Sequence, residues 1–174
     1  MSGGGDRMAL GEASLREFVA EHYDSLYRYA FRLSGSAADA EDLTQDAFGK
    51  AITRHGQLRD PAKARGWLFR ILRNGYLHRV RDERRRKFVS LESVGELPAE
   101  PPESPPDIDP AKLQEVLNEL DEPFRTPLIL FYFEDFSYRE IAEQMDLPIG
   151  TVMSRLARAK GYLRTRLTPP ATGD

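Results

Sequence analysis

An all-α chain of two small helical domains, joined by an acidic, proline-rich linker, is the fold that these 174 residues predict. Three observations predict it. Apolar residues recur at helical spacing on both sides of the middle of the chain, and no convincing strand alternation is present. Six of the twelve prolines (Pro98, Pro101, Pro102, Pro105, Pro106 and Pro110) fall in or at the edge of one stretch. That stretch, about residues 88–108, is acidic and has no Lys or Arg, so it can neither continue a helix nor build a core and reads as an extended linker. The expected division is a disordered N-terminus over 1–13, a helical domain over 14–87, the linker over 88–108, a second helical domain over 109–167 and a tail over 168–174.

Each element has a local reason. Leu15, Phe18, Val19, His22, Leu26, Tyr29, Ala30 and Leu33 follow a helical stripe, predicting a first helix over about 14–33 that Ser34-Gly35-Ser36 ends. A second helix over about 37–54 carries Ala40, Leu43, Ala47, Phe48 and Ile52, and its acidic first turn suits the positive end of the helix dipole. A third starts after Pro61 and runs to about residue 86. It bears two stripes, Trp67, Ile71, Asn74 and His78 on one and Phe69, Tyr76 and Val80 on the other, so it is not simply core on one side and water on the other. Asp109-Pro110 opens the fourth helix as N-cap and first helical residue, followed by Leu113, Val116, Leu117 and Leu120. The next is expected over about 124–133, with Pro127 near its first turn. Ser137-Tyr138-Arg139-Glu140 is a capping box. Asp146-Leu147-Pro148 breaks the helix behind it, and a last helix runs from Ile149 to about residue 166.

The composition excludes several classes. There are no cysteines, hence no disulfides, thiolate metal sites or cysteine nucleophiles. No apolar run approaches the roughly 18 residues of a membrane span. Met1-Ser2-Gly3-Gly4-Gly5-Asp6 lacks the basic and apolar stretches of a signal peptide, so a cytoplasmic protein is expected. His22, His55 and His78 are isolated in sequence, Gly3-Gly4-Gly5 lacks a phosphate-loop lysine, and no nucleophile–base pair is visible. A non-enzyme without cofactor or metal is therefore expected.

The net charge of −3 hides a strong asymmetry: residues 61–90 carry +8 and residues 91–124 carry −9. A basic block of this kind suggests a polyanion partner, the alternative being a solvated helical face. The basic helix interleaves Arg65, Arg70, Arg73 and Arg79 with Trp67, Phe69 and Tyr76. Cations that bind phosphates, beside rings that stack on unpaired bases, suit single-stranded or melting DNA; the alternative is that these rings, Trp67 above all, belong to the core. Residues 137–166 have helix-turn-helix spacing, in which the second helix enters the major groove. On that helix Val152, Leu156, Ala159 and Leu163 form an inward stripe, while Met153, Ser154, Ala157, Arg158, Gly161 and Thr165 lie opposite. Ser154 and Arg158 can reach base edges or phosphates, and Arg155 and Lys160 flank them. A generic helical hairpin with a basic face is the competing reading.

Three motifs together resemble the bacterial sigma-70 family, in its small extracytoplasmic-function group. Asp39-Ala40-Glu41-Asp42-Leu43-Thr44-Gln45-Asp46-Ala47-Phe48 resembles the family's acidic helix that docks on RNA polymerase. Trp67-Leu68-Phe69-Arg70-Ile71-Leu72-Arg73-Asn74 resembles its −10 element helix. Phe136-Ser137-Tyr138-Arg139-Glu140-Ile141-Ala142-Glu143, with Ile149-Gly150-Thr151-Val152-Met153-Ser154-Arg155-Leu156-Ala157-Arg158-Ala159, resembles its promoter-reading helix-turn-helix. The likeness covers about residues 14–167, in the family's order and with the linker in its place.

The resemblance implies a transcription initiation subunit whose partners are core RNA polymerase (the β′ clamp helices and the β flap) and promoter DNA; many members are held inactive by an anti-sigma protein, the alternatives for this chain being transcriptional control or phosphorylation. Asp39, Glu41, Asp42, Gln45, Asp46 and Phe48 would form the polymerase-docking patch; a metal site there is rejected because no histidine or other ligand group accompanies the carboxylates. Arg59, Lys63, Arg65, Trp67, Arg70, Arg73 and Asn74 would take the −10 element, with Asn74 lining a pocket for a flipped base or filling a polar gap in its stripe. Thr151, Met153, Ser154, Arg155, Arg158 and Lys160 would take the −35 element. Met153 stands where many relatives have Arg or Lys, which makes this face less basic. The linker's roughly 21 residues, extended at about 3.1 Å each, reach at most about 65 Å, or about 19 base pairs at about 3.4 Å. A stand-alone helix-turn-helix regulator is the alternative, and it leaves the acidic and basic helices without a use; an interaction protein that only sequesters a partner is a further rival.

Overall fold

The computed structural model describes residues 12–87 and 108–168. The 88–107 part of the expected linker, most of the expected N-terminal tail and residues 169–174 lie outside the described residues. Among the described residues the chain is helices and short turns, as its periodicity predicts.

α1 (Glu12–Ser34) is the central pillar, about 34 Å long at about 1.5 Å per residue. Its stripe of Leu26, Tyr29, Ala30 and Leu33 is fully buried. It packs on α2 (Ala37–Thr53) and α3 (Ala64–Lys87), and also on α4 (Pro110–Glu119) and α5 (Glu122–Tyr132). Gly35 ends α1 at φ +71°, a left-handed conformation that side chains resist. A Cβ there would also lie 2.8 Å from Oδ1 of Asn118 on α4, so the same glycine permits both the turn and the approach of the second helical group. Ser36 then caps α2, its hydroxyl accepting from the Asp39 amide at 3.2 Å.

Between α2 and α3 lie two 3₁₀ turns, His55–Gln57 and Pro61–Lys63. The second is capped by Asp60, whose Oδ1 accepts from the Ala62 amide at 3.0 Å. The α-helix therefore begins at Ala64, one turn later than the proline alone predicts. α3 buries Leu68, Phe69, Ile71 and Leu72 near its start, while residues 73–86 are half-buried or exposed.

Asp109 caps α4, accepting from the Ala111 amide at 3.1 Å. α5 starts at Glu122, two residues before the expected position, because Pro123 occupies its first turn. Pro127 consequently sits inside the helix rather than in its first turn; its missing donor would have faced the Pro123 carbonyl. α6 (Tyr138–Met145) opens with both bonds of the capping box, Ser137 amide to Glu140 Oε2 at 2.7 Å and Glu140 amide to Ser137 Oγ at 3.2 Å. Asp146 ends it at φ 52°, a left-handed cap of a kind that Asp tolerates better than most residues. α7 (Ile149–Leu167) buries Val152, Leu156 and Ala159 and packs on α4, α5 and α6.

A continuous apolar core runs through both helical groups. The linker is long enough to hold them far apart, yet α1 lies on α4 and α5 and α3 lies on α6. Phe69 of α3 is buried at this junction. Its ring stacks on Tyr29 at 4.9 Å and meets Phe136, from the turn before α6, at 5.2 Å. Burying such a ring contributes on the order of 2–3 kcal/mol.

Candidate nucleic-acid interface

Three surfaces result from this arrangement. The first is the outer face of α2. Asp39, Glu41, Asp42, Gln45 and Asp46 face outward because Ala40, Leu43, Thr44 and Ala47 face the core. Arg79 of α3 reaches all three aspartates, at 3.7 Å from Asp39 Oδ1, 3.7 Å from Asp42 Oδ2 and 3.1 Å from Asp46 Oδ2. One guanidinium thus gathers three carboxylates and leaves the cluster net negative. Phe48 differs from its expected place in this patch: at 6% exposure it is core, with its ring facing Phe18 at 6.2 Å and Tyr23 at 6.2 Å. Its spacing from Leu43, Thr44 and Ala47 turns it inward with them.

The second surface is α3 with the turn before it. Arg59, Lys63 and Asn74 are exposed. Asn74 therefore does not fill a polar gap in a buried stripe; it faces solvent, as does His78. Trp67 is half-buried and packs on the core, Phe69 is fully buried, and Tyr76 is half-buried. Phe69 thus serves packing, while Trp67 and Tyr76 pack on the core and keep part of each ring exposed.

Three arginines of this surface, Arg65, Arg70 and Arg73, are bonded to the second helical group. Arg65 donates through Nη2 to the Glu134 carbonyl at 2.7 Å and lies 3.4 Å from Glu134 Oε2. Its guanidinium also lies over the rings of Phe69 and Phe136, at 4.8 and 4.5 Å. Arg70 donates to the Glu143 carbonyl. Arg73 donates through Nε to Glu122 Oε1 at 2.8 Å, and both of these side chains are largely buried. Burial pushes the Glu134 carboxyl up to about 7 against the opposing pull of Arg28, Arg65 and Arg32.

Further contacts hold the junction. Arg125 of α5 donates to the carbonyls of Leu117 and Leu120 at the end of α4, to the Leu33 carbonyl at the end of α1 at 2.5 Å, and to Tyr76 Oη at 3.1 Å. Helix ends leave such carbonyls without partners, so one guanidinium caps two helices at once. Gln114 donates to the Arg32 carbonyl at 3.3 Å and Gln144 to the Gly66 carbonyl. None of these pairings is marked by a sequence pattern, because the partners lie 49 to 92 residues away in the cases of Arg73, Gln144 and Arg125.

The third surface is α7. Met153, Ser154, Ala157, Arg158 and Lys160 are exposed, and Thr151 and Arg155 are half-exposed. Arg158 lies 5.3 Å from the Phe124 ring and Lys160 6.0 Å from the Tyr132 ring, contacts that orient the stems and leave the cations accessible. Farther along, Arg166 pairs with Glu119 at 2.5 Å, and Tyr162 donates to the same carboxylate. These bonds hold the Glu119 carboxyl below its usual range.

Comparison with known proteins identifies the arrangement. The family model for Sigma-70 region 2 matches residues 18–86, and that for Sigma-70 region 4 matches residues 111–163. The chain belongs to the sigma-70 family. It is 39% identical to the ECF RNA polymerase sigma factor SigE of Mycolicibacterium smegmatis, over 94% of this chain and 64% of that protein. It is 35% identical to the ECF RNA polymerase sigma factor SigL of Mycobacterium tuberculosis, over 91% of this chain and 92% of that one. The chain thus spans under two thirds of the first relative's length and nearly all of the second's. The sigma factor RpoE of Bartonella quintana, solved in complex with the anti-sigma factor NepR, superposes with a TM-score of 0.73 at 30% identity, covering 86% of this chain and 94% of that one. The likeness therefore spans both helical groups of this sigma factor. A stand-alone helix-turn-helix regulator would leave the region 2 match unexplained. Among the described residues no helix is long and apolar enough to cross a membrane.

Proposed function

We propose that this sigma factor works in the cytoplasm as a non-catalytic subunit of RNA polymerase, with its three surfaces divided between polymerase and promoter. Residues 14–87 carry the polymerase and −10 contacts, and residues 109–167 carry the −35 contact. Asp39, Glu41, Asp42, Gln45 and Asp46 meet cations on the β′ clamp helices, and Phe48 supports that ridge from beneath. The apolar groove lined by Leu113, Leu128, Phe133, Leu163 and Leu167, with Lys160 and Arg164 at its rim, suits the β flap. Arg59, Lys63, Arg65, Trp67, Arg70, Arg73 and Asn74 take the −10 strand as the duplex melts, and Thr151, Met153, Ser154, Arg155, Arg158 and Lys160 take −35. An anti-sigma protein is a further partner, by analogy with the one bound to the Bartonella relative.

The observation that carries this reading is one chain holding both a helix-turn-helix with an exposed Ser154/Arg158 face and an acidic ridge gathered on Arg79. Run-off transcription tests it, using fragmented genomic DNA and sigma-free bacterial core polymerase. Defined starts that need this protein are the expected result. No starts and no co-elution with core polymerase would refute it.

A further inference from the structure

Ile149 and Met153 of α7 are large apolar side chains left exposed, at 42% and 50%. Ala157, one turn farther on, is exposed as well. The three stand at i, i+4 and i+8, so they form one strip along the helix. The strip is not an overflow of the core, because Val152, Leu156 and Ala159 already supply the buried face. Ser154 and Arg158 lie in the row of side chains on one side of it, and Lys160 in the row on the other; all three are exposed. We propose, resting on the sigma-factor reading above, that this apolar strip reads the 5-methyl groups of thymines in the −35 element. Met153 and Ala157 then tell thymine from the other bases, a chemical selection that the basic residues of the same face do not make.

Placement favours this occupant. The strip lies at the start of α7, and the N-terminal part of a recognition helix is what meets base edges. Chemistry favours it too. In the major groove the bases show hydrogen-bond donors and acceptors, and the thymine methyl is the apolar group among them. An apolar side chain laid on a donor or acceptor leaves that group without a partner and costs affinity. Laid on a methyl, it removes apolar surface from water. Spacing agrees: neighbours in the strip are about 5–6 Å apart at Cβ, close to two base-pair steps of about 3.4 Å each. The unbranched Met153 side chain adapts its shape to the methyl it meets, whereas Ala157 brings its own methyl close. Arg158 and Lys160 beside the strip supply the phosphate contacts that position it.

The test changes the DNA and leaves the protein as it is. Holoenzyme made from the full chain and core polymerase is given a promoter taken from a run-off start, with deoxyuridine replacing each −35 thymine in turn. Binding should weaken about fourfold at one or more of those positions, the effect of one lost methyl contact. Met153→Gln or Ala157→Ser should abolish the uracil penalty at its own position and leave it intact at the other. Equal binding of thymine and uracil at every −35 position would overturn the proposal while leaving the sigma-factor reading intact. A −35 element without thymine on either strand would do the same, as would a penalty that persists in both variants. Loss of co-elution with core polymerase in Met153→Gln, with no uracil effect in wild type, would assign the strip to polymerase and overturn it as well. Failure of wild type to start from any promoter would overturn the sigma-factor reading and the methyl assignment with it, an outcome distinct from the others, which all need a working holoenzyme.

Discussion

α3 and α7 both carry arginines on faces that suit DNA, but the two faces keep different company. On α7, Ser154 and Arg158 are exposed, and the nearest aromatic contact merely orients the arginine. On α3, Arg65, Arg70 and Arg73 are hydrogen-bonded to α5, to α6 or to the turn between them. The same residue type is therefore a ready donor on one helix and a committed one on the other. Basic patterning along a sequence reports where positive charge sits, not whether that charge is free to act. In this chain the α7 cations are exposed, while Arg65, Arg70 and Arg73 of α3 are engaged by the second helical group.

The largest expected effect falls on the open face. Arg158→Ala should cost about 1–3 kcal/mol of promoter binding, seen as a roughly 5- to 150-fold loss of run-off product while co-elution with core polymerase is unchanged. A loss of polymerase binding in the same variant would break the distinction between the faces. Asp42→Asn with Asp46→Asn should do the reverse, weakening co-elution and sparing binding of the free chain to −35 duplex. Arg73→Ala should cost less than Arg158→Ala, because in the free chain Arg73 is already engaged by Glu122. An equal or larger loss would show that Arg73 is not engaged in the free protein.

A smaller effect is set by pH. Glu134 is buried beside Arg28 and Arg32 of α1 and Arg65 of α3, with Asp135 next to it in the chain. Because burial raises its carboxyl to about 7, the packed junction binds the proton more tightly than an unfolded chain in which the carboxyl is hydrated. Its support for the packed junction is complete below the usual carboxyl range and is lost as pH rises through about 7. Thermal stability of the free chain should therefore fall between pH 6 and pH 8 relative to Glu134→Gln, in which the site stays neutral. Parallel pH profiles for the two proteins would show that the Glu134 carboxyl is not buried at the junction.

The elements that were legible in the sequence are those fixed by local chemistry. Ser137 and Glu140 announce α6, Asp146 and Pro148 end it, and Val152, Leu156 and Ala159 set the inward face of α7, all within about thirty residues. The second stripe of α3 was legible as well, since two apolar faces on one helix require two neighbours. What those neighbours are was not. Phe69 finds Phe136, Arg73 finds Glu122 and Arg125 finds the end of α1 across long separations that no periodicity encodes. Pairing Arg79 with Asp39, Asp42 and Asp46 was illegible for the same reason. Phe48 shows the converse error: a motif marks a helix as a docking element, but the position of each side chain on its wheel decides which members can touch a partner.

The most direct test of the difference between the two faces is a distance between α3 and α6 measured by pulsed electron resonance. Spin labels go on His78→Cys and Arg139→Cys, exposed positions on a chain with no other thiol. A single short distance in the free protein that lengthens when core polymerase and promoter DNA are added is the predicted result. The same short distance in the free protein and in an actively transcribing complex would contradict the account, because α3 would then be reading DNA with its arginines still held by the second helical group.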